Sequence, residues 1–174
     1  RFSLSSWRTL YWNTPEGLRK VDFGDKTVSA PLTGPVGGYN FAGDRIIYVD
    51  ASDPKKSLWL IDSGGRKKKL VDSMPLSNSY AIDYSTYINV PQIVVSATDS
   101  NQTVLISDAF DKPSKKLIAG FVGSPLFNGD GRFVVIRGVD NSGTFDLELN
   151  RLYQFSAPNN KITGVTWFDN YHLQ

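Results

Sequence analysis

No stretch of this chain places apolar residues at every third and fourth position for long enough to make an amphipathic helix. It holds instead a succession of β-prone runs, four to six residues long, at 9–12, 18–23, 45–49, 58–61, 92–96, 103–106, 133–136 and 151–155. Each is bounded by Gly, Pro, Asn, Asp or Ser, and several are apolar at consecutive positions, as in strands covered on both faces. Turn sequences stand between the runs: Thr14-Pro15-Glu16-Gly17, Ser63-Gly64-Gly65, Asn128-Gly129-Asp130-Gly131 and Ala157-Pro158-Asn159-Asn160. In these, Pro presets φ and Gly or Asn accepts a left-handed backbone. The expectation is an all-β, antiparallel chain.

The runs recur with a period. Trp7, Phe41, Tyr84, Phe127 and Trp167 each open a unit, at spacings of 34, 43, 43 and 40 residues. Each unit reads as an opening strand, a tight turn, a strong apolar strand, a second apolar strand, a turn with basic residues and a weaker last strand. A period near 40–45 residues is that of a four-stranded propeller blade. The repeats are placed at 1–35, 36–77, 78–121 and 122–164, with a further unit starting at 165–174, in one domain over 1–174. In the fourth unit, residues 151–155 are read as the third strand and Lys161-Ile162 as the start of the last. The predicted fold class is therefore four-stranded antiparallel blades in a β-propeller or partial propeller. A β-sandwich or barrel is the alternative, since it also makes strands every 8–12 residues. Trp12, Tyr48, Trp59 and Phe133 supply large rings for packing between blades. Arg1 stands where an initiator Met would, and Tyr171-His172-Leu173-Gln174 carries no turn signal, so the sequence reads as a piece of a longer chain.

Two units resemble a known repeat. Phe41-Ala42-Gly43-Asp44-Arg45 with the strand that follows, then Leu58-Trp59-Leu60-Ile61-Asp62-Ser63-Gly64-Gly65, is similar to one TolB-type propeller repeat. Pro125-Leu126-Phe127-Asn128-Gly129-Asp130-Gly131-Arg132-Phe133 resembles the opening half of the same repeat, with Asn128 and Gly129 in place of the usual Ser-Pro. The second unit lacks the Pro. This resemblance to TolB-like and WD-type propeller repeats covers under half of the chain. It implies a binding platform outside the cytoplasm, in the periplasm, cell envelope or cell surface. Related propellers also accompany prolyl oligopeptidase-like peptidases. Fold analogy alone does not assign a function.

Chemistry is sparse. Cysteine is absent and His172 is the one histidine, which excludes disulfides, thiolate zinc sites and histidine clusters. No Gly-x-Ser-x-Gly elbow accompanies His172, and Gly37-Gly38 and Gly64-Gly65 lack the Gly-Lys-Ser/Thr ending of a phosphate loop. The oxygen-rich run 140–146 and the pair Asn128 and Asp130 suggest calcium, but no bidentate Glu follows at the required spacing, so Asx-turn chemistry explains them better. A carboxylate pair for glycoside hydrolysis could be assembled from Asp140, Asp146 and Glu148, but nothing in their spacing supports one. No catalytic residue, metal ligand or cofactor is expected. Tyr80, Tyr84 and Tyr87 could stack on sugars, although blade packing is the commoner use of such rings.

Lysines are the least ordinary feature. Lys67, Lys68 and Lys69 follow Arg66, and Lys115 and Lys116 follow Lys112, at or beside the turn into the last strand of successive units; Lys26 and Lys161 hold matching places. They form a candidate rim for an anionic partner. The competing explanation is solubility and protection of outer edge strands. The balance of 19 basic and 17 acidic residues, with no recognition motif, argues against sequence-specific nucleic acid binding. No apolar run is long enough to span a membrane. The expected function is a non-enzymatic protein-interaction or scaffold module of the cell envelope. Its partner would be a protein, and exposed blade edges would favour a homo-oligomer. Two alternatives remain: a lectin-like module for a glycan or small molecule, and the accessory propeller of a peptidase or hydrolase whose catalytic domain lies elsewhere.

Overall fold

The computed structural model describes residues 2–6, 9–138, 141–155, 167, 169, 172 and 173. Among these every regular element is a strand, and the strands form four separate sheets of four. The first sheet holds β1 (Phe2–Ser6), β2 (Thr9–Thr14), β3 (Gly17–Asp22) and β4 (Thr27–Thr33). The second holds β5 (Val36–Ala42), β6 (Arg45–Asp50), β7 (Leu58–Ile61) and β8 (Lys67–Val71). The third holds β9 (Tyr80–Tyr87), β10 (Val90–Ala97), β11 (Gln102–Ser107) and β12 (Ser114–Ala119). The fourth holds β13 (Ser124–Phe127), β14 (Phe133–Arg137), β15 (Ser142–Asp146) and β16 (Arg151–Phe155). In each sheet the strands pair antiparallel with their neighbours in sequence.

The turns explain this simple meander. Short reversals, of two to seven residues, leave a strand no partner but the one just made. At the end of the third strand a carboxylate closes the next turn. Asp22 accepts the amides of Gly24 (2.8 Å) and Asp25 (3.3 Å). Asp62 accepts the amide of Arg66 at 2.9 Å, and Asp146 those of Glu148 (2.9 Å) and Leu149 (3.1 Å). Asp108 holds the same place in the third sheet, with its own backbone at φ +50°. Asp and Asn favour such positions because a short oxygen-bearing side chain can stand in for a strand partner.

The chain divides into two compact units, Arg1–Met74 and Pro75–Gln174. In the first, Leu18, Leu32, Val36, Tyr39, Ile46 and Tyr48 build a core from both sheets, with Trp59 packed against it. Burial pushes the Tyr48 phenol up to about 12, with Asp50 adding to the shift. In the second unit, Val94, Leu105, Ile118, Phe127, Val134 and Phe145 do the same for its two sheets. There the inner strands are also tied by a charge-assisted bond, from the Phe127 amide to the Asp83 carboxylate at 2.8 Å.

The fourth sheet departs from the sequence reading. Its third strand is β15, over the stretch that reads as turn chemistry, and 151–155 is the outer strand. Ser142 and Gly143 have little strand preference of their own. β15 exists because β14 and β16 pair with it on both sides. Its glycine sits in a tight place: a Cβ on Gly143 would meet Leu152 Cδ1 at 3.0 Å and the Phe121 ring at 3.3 Å, so these neighbours would have to give. The position matching the other lysine turns is therefore Arg151, while Lys161 lies outside the described residues, as do Trp7 and the turn at 157–160.

Candidate binding surfaces

The carboxylates with the most suggestive chemistry are engaged in structure. Asp146 is only 2% exposed. Arg132 grips it through Nη2 (2.9 Å) and Nε (3.3 Å), and reaches Glu148 through Nη1 at 2.6 Å. Burial alone would raise the Asp146 carboxyl. The Arg132 hydrogen bond, the Leu149 and Glu148 amides and the Arg132 charge outweigh it and hold the group below the usual carboxylate value. Tyr87 donates its hydroxyl to Glu148 at 3.2 Å. Asn128 accepts the Phe133 amide at 2.9 Å and Asp130 that of Arg132 at 3.0 Å, so both act as turn caps. Among the described residues no three His, Cys, Asp or Glu gather to hold a metal ion. His172 is exposed and pairs with Asp169 through Nδ1 at 2.7 Å. Asp140 lies outside the described residues.

The three tyrosines of β9 have separate uses. Tyr80 is buried and donates to the Pro75 carbonyl at 2.7 Å, Tyr84 stacks on Phe110 with ring centres 5.6 Å apart, and Tyr87 holds Glu148.

The candidate lysines sit on strands as well as beside turns. Lys67, Lys68 and Lys69 make up most of β8, and Lys115 and Lys116 lie on β12; both are edge strands, and all five lysines are exposed. Lys69 lies 5.0 Å over the Trp59 ring and 3.6 Å from Asp72. Lys116 bonds Asn150 Oδ1 and lies 5.8 Å from the Phe145 ring centre. β8 belongs to the first unit and β12 to the second.

Sequence reasoning passed over two other surfaces, both in the second unit. One is the tip of the β9–β10 hairpin, a two-residue turn in which Ile88 (φ +50°) and Asn89 (φ +62°) are both left-handed. Asn suits that conformation. A β-branched residue does not, because its side chain crowds the backbone. Yet Ile88 is 74% exposed and no core contact compensates the strain. Val90 beside it is 37% exposed, and Leu149 is 59% exposed on the turn that the Tyr87–Glu148 bond fastens to this hairpin.

The other surface is a cleft of about 490 Å³ at the opposite end of the same sheets. Its walls come from the β10–β11 turn (Thr98, Asn101), the β12–β13 link (residues 120–123) and the ends of β13 and β14 (Ser124, Arg137). The link is pinned from behind: buried Thr103 donates to the Phe121 carbonyl at 2.9 Å and bonds Ser96 at 2.6 Å.

No family model matches the chain, and no curated protein matches it. Solved structures do. An auxiliary nutrient binding protein of Bacteroides thetaiotaomicron is 15% identical, with a TM-score of 0.62, over 89% of this chain and 40% of that one. The extracellular domain assigned to a one-component system of the same organism is 15% identical, with a TM-score of 0.66, over 95% and 23%. A nidogen/laminin complex gives 9% identity and a TM-score of 0.64 over 86% and 61%. The chain thus spans less than two thirds of each. These neighbours are β-propeller-like proteins, so the fold is all-β, in four-stranded antiparallel blades of the propeller type.

Proposed function

We propose that this chain is a non-enzymatic binding module of an extracytoplasmic protein, built of TolB-type blades, which docks a protein partner on the hairpin end of its second unit. Ile88 carries the reading. Backbone strain that buys no internal contact points to a use outside the chain. Exposed Leu149 and Val90 extend the apolar area around it. A central apolar anchor ringed by polar groups is the usual anatomy of a binding hot spot. The neighbours named for nutrient binding, for an extracellular domain and for a complex between two proteins are compatible with a binding role. The absorption of Asp146 and Glu148 by Arg132 supports the non-enzymatic part. The lysines of β12, in the same unit, would add attraction to an anionic surface on a partner.

The test is to capture partners by cross-linking, measure the affinity of each, and repeat the measurement with Ile88→Asn. Asparagine relaxes the turn, so the variant folds at least as well. A partner using this surface loses roughly tenfold or more in affinity. Equal affinity for both proteins would place the docking surface elsewhere.

A further inference from the structure

We propose that a pocket of about 480 Å³ between the two sheets of the first unit binds a free amino acid with an apolar side chain. Its apolar part is a corner. Tyr11 of β2 and Phe41 of β5 stand with ring centres 4.7 Å apart and planes inclined at 59°, and the buried Ile46 and Ile61 line the same space. Two rings at that angle give no flat platform for a sugar. They suit a side chain that meets one by its face and the other by its edge.

The polar part brings one charge of each sign. Lys20 stands directly opposite Tyr11 in the β2–β3 ladder, so both side chains leave the same face of the sheet, the one Phe41 packs on. Asp44 comes from the β5–β6 turn of the second sheet. Arg66 pairs with Asp62 and Lys69 with Asp72, but among the described residues no ion pair includes Lys20 or Asp44. The undescribed side chains of this unit, those of residues 1–8, include no carboxylate for Lys20. Asp44 is required only as an acceptor, and a carboxylate takes several donors at once. Asp62 also lines the pocket, but its charge is offset by Arg66, whose amide and Nε bond it at 2.9 and 2.8 Å. The balance is a positive group on one sheet and a negative group on the other, beside an apolar corner. An α-amino acid carries the matching set: a carboxylate for Lys20, an ammonium for Asp44 and a side chain for the rings. A ligand with a single charge would leave the other pocket charge partly desolvated and unmatched. The volume lies within the range of small-molecule sites. This inference is independent of the hairpin surface, which belongs to the second unit.

The experiment is protein-detected NMR titration with five probes. L-phenylalanine carries all three features. N-acetyl-L-phenylalanine lacks the ammonium, L-phenylalaninamide lacks the carboxylate, glycine lacks the side chain, and glucose offers hydroxyls alone. Phenylalanine is expected to bind roughly tenfold more tightly than each of the others. The amides of Gly43, Asp44 and Ser63 should shift. Lys20→Gln should erase the preference over the amide and keep that over the acetyl derivative. Asp44→Asn should do the reverse, and Lys20→Arg should keep both. Unchanged spectra away from the pocket show that each variant is folded. Either derivative matching phenylalanine would overturn the zwitterion, glycine matching it would overturn the apolar corner, and glucose matching it would replace the amino acid by a sugar. A variant that keeps the preference it should lose would overturn the role of that residue. Shifts confined to other residues, or none with any probe, would overturn the site.

Discussion

At the residue scale, single polar atoms settle questions that apolar burial leaves open. The Asp83 carboxylate ties the inner strands β9 and β13 together by accepting the Phe127 amide. Asp83→Ala leaves that amide without its acceptor and is expected to cost about 1.5 kcal/mol in urea unfolding, with little change in the unfolding slope. Ile88 predicts the opposite sign. Relief of its left-handed strain in Ile88→Asn should raise stability by about 1 kcal/mol, measured the same way. Neither residue was legible as such. An isoleucine in a β-rich sequence reads as core, and only the turn geometry shows it standing outside. Asp83 reads as one more surface acid until the next blade is placed beside it.

At the scale of the strand, legibility depended on where the information lay. Sheets made of β6, β7, β10, β11 and β14 were plain, because their apolar residues and flanking turn residues are local. β15 was missed, because Gly143 and Ser142 become strand only through partners on both sides. That error carried the basic turn of the fourth unit from Arg151 to Lys161. The cleft could not be read at all, since its walls come from segments between 81 and 141 that only tertiary structure assembles. The edge strands lead to a test. Successive lysines on β8 oppose pairing with another strand edge. Replacing Lys67 and Lys68 with threonine should raise the weight-average mass seen by light scattering as protein concentration increases. Arginine at both positions should leave it at the wild-type value. Lys69 is kept because it covers Trp59.

Across the whole molecule, both units hold carboxylates with lowered pKa values. In the first, the Ser57 hydroxyl and the Lys55 amide lower Asp53, and the Arg66 amide and side chain lower Asp62. In the second, the Asn78 amide lowers Asp99, and Asp146 is held down against its own burial. Each group binds its proton less readily when folded than when unfolded. Its contribution to stability is therefore complete above the ordinary carboxylate value and is lost as pH falls through the lower, folded one. Stability should be level from neutrality to about pH 5 and fall steeply below about pH 4. Asp146→Asn should flatten part of that fall while lowering stability at neutral pH by about 2 kcal/mol. Denaturant midpoints measured across pH in both proteins check the two effects together.

The turn carboxylates also bear on how such chains are found. Asp22, Asp62, Asp108 and Asp146 hold one place in the meander while the strands around them share almost no residues. What is repeated here is punctuation rather than vocabulary. A comparison that scores aligned side chains weighs the strands, where any β-prone residue of suitable bulk will serve, and identity sinks to the 9–15% seen against the matching structures. A search keyed to the spacing of these few acids, and indifferent to the letters between them, would be reading the part of the message that the four meanders of this chain have in common.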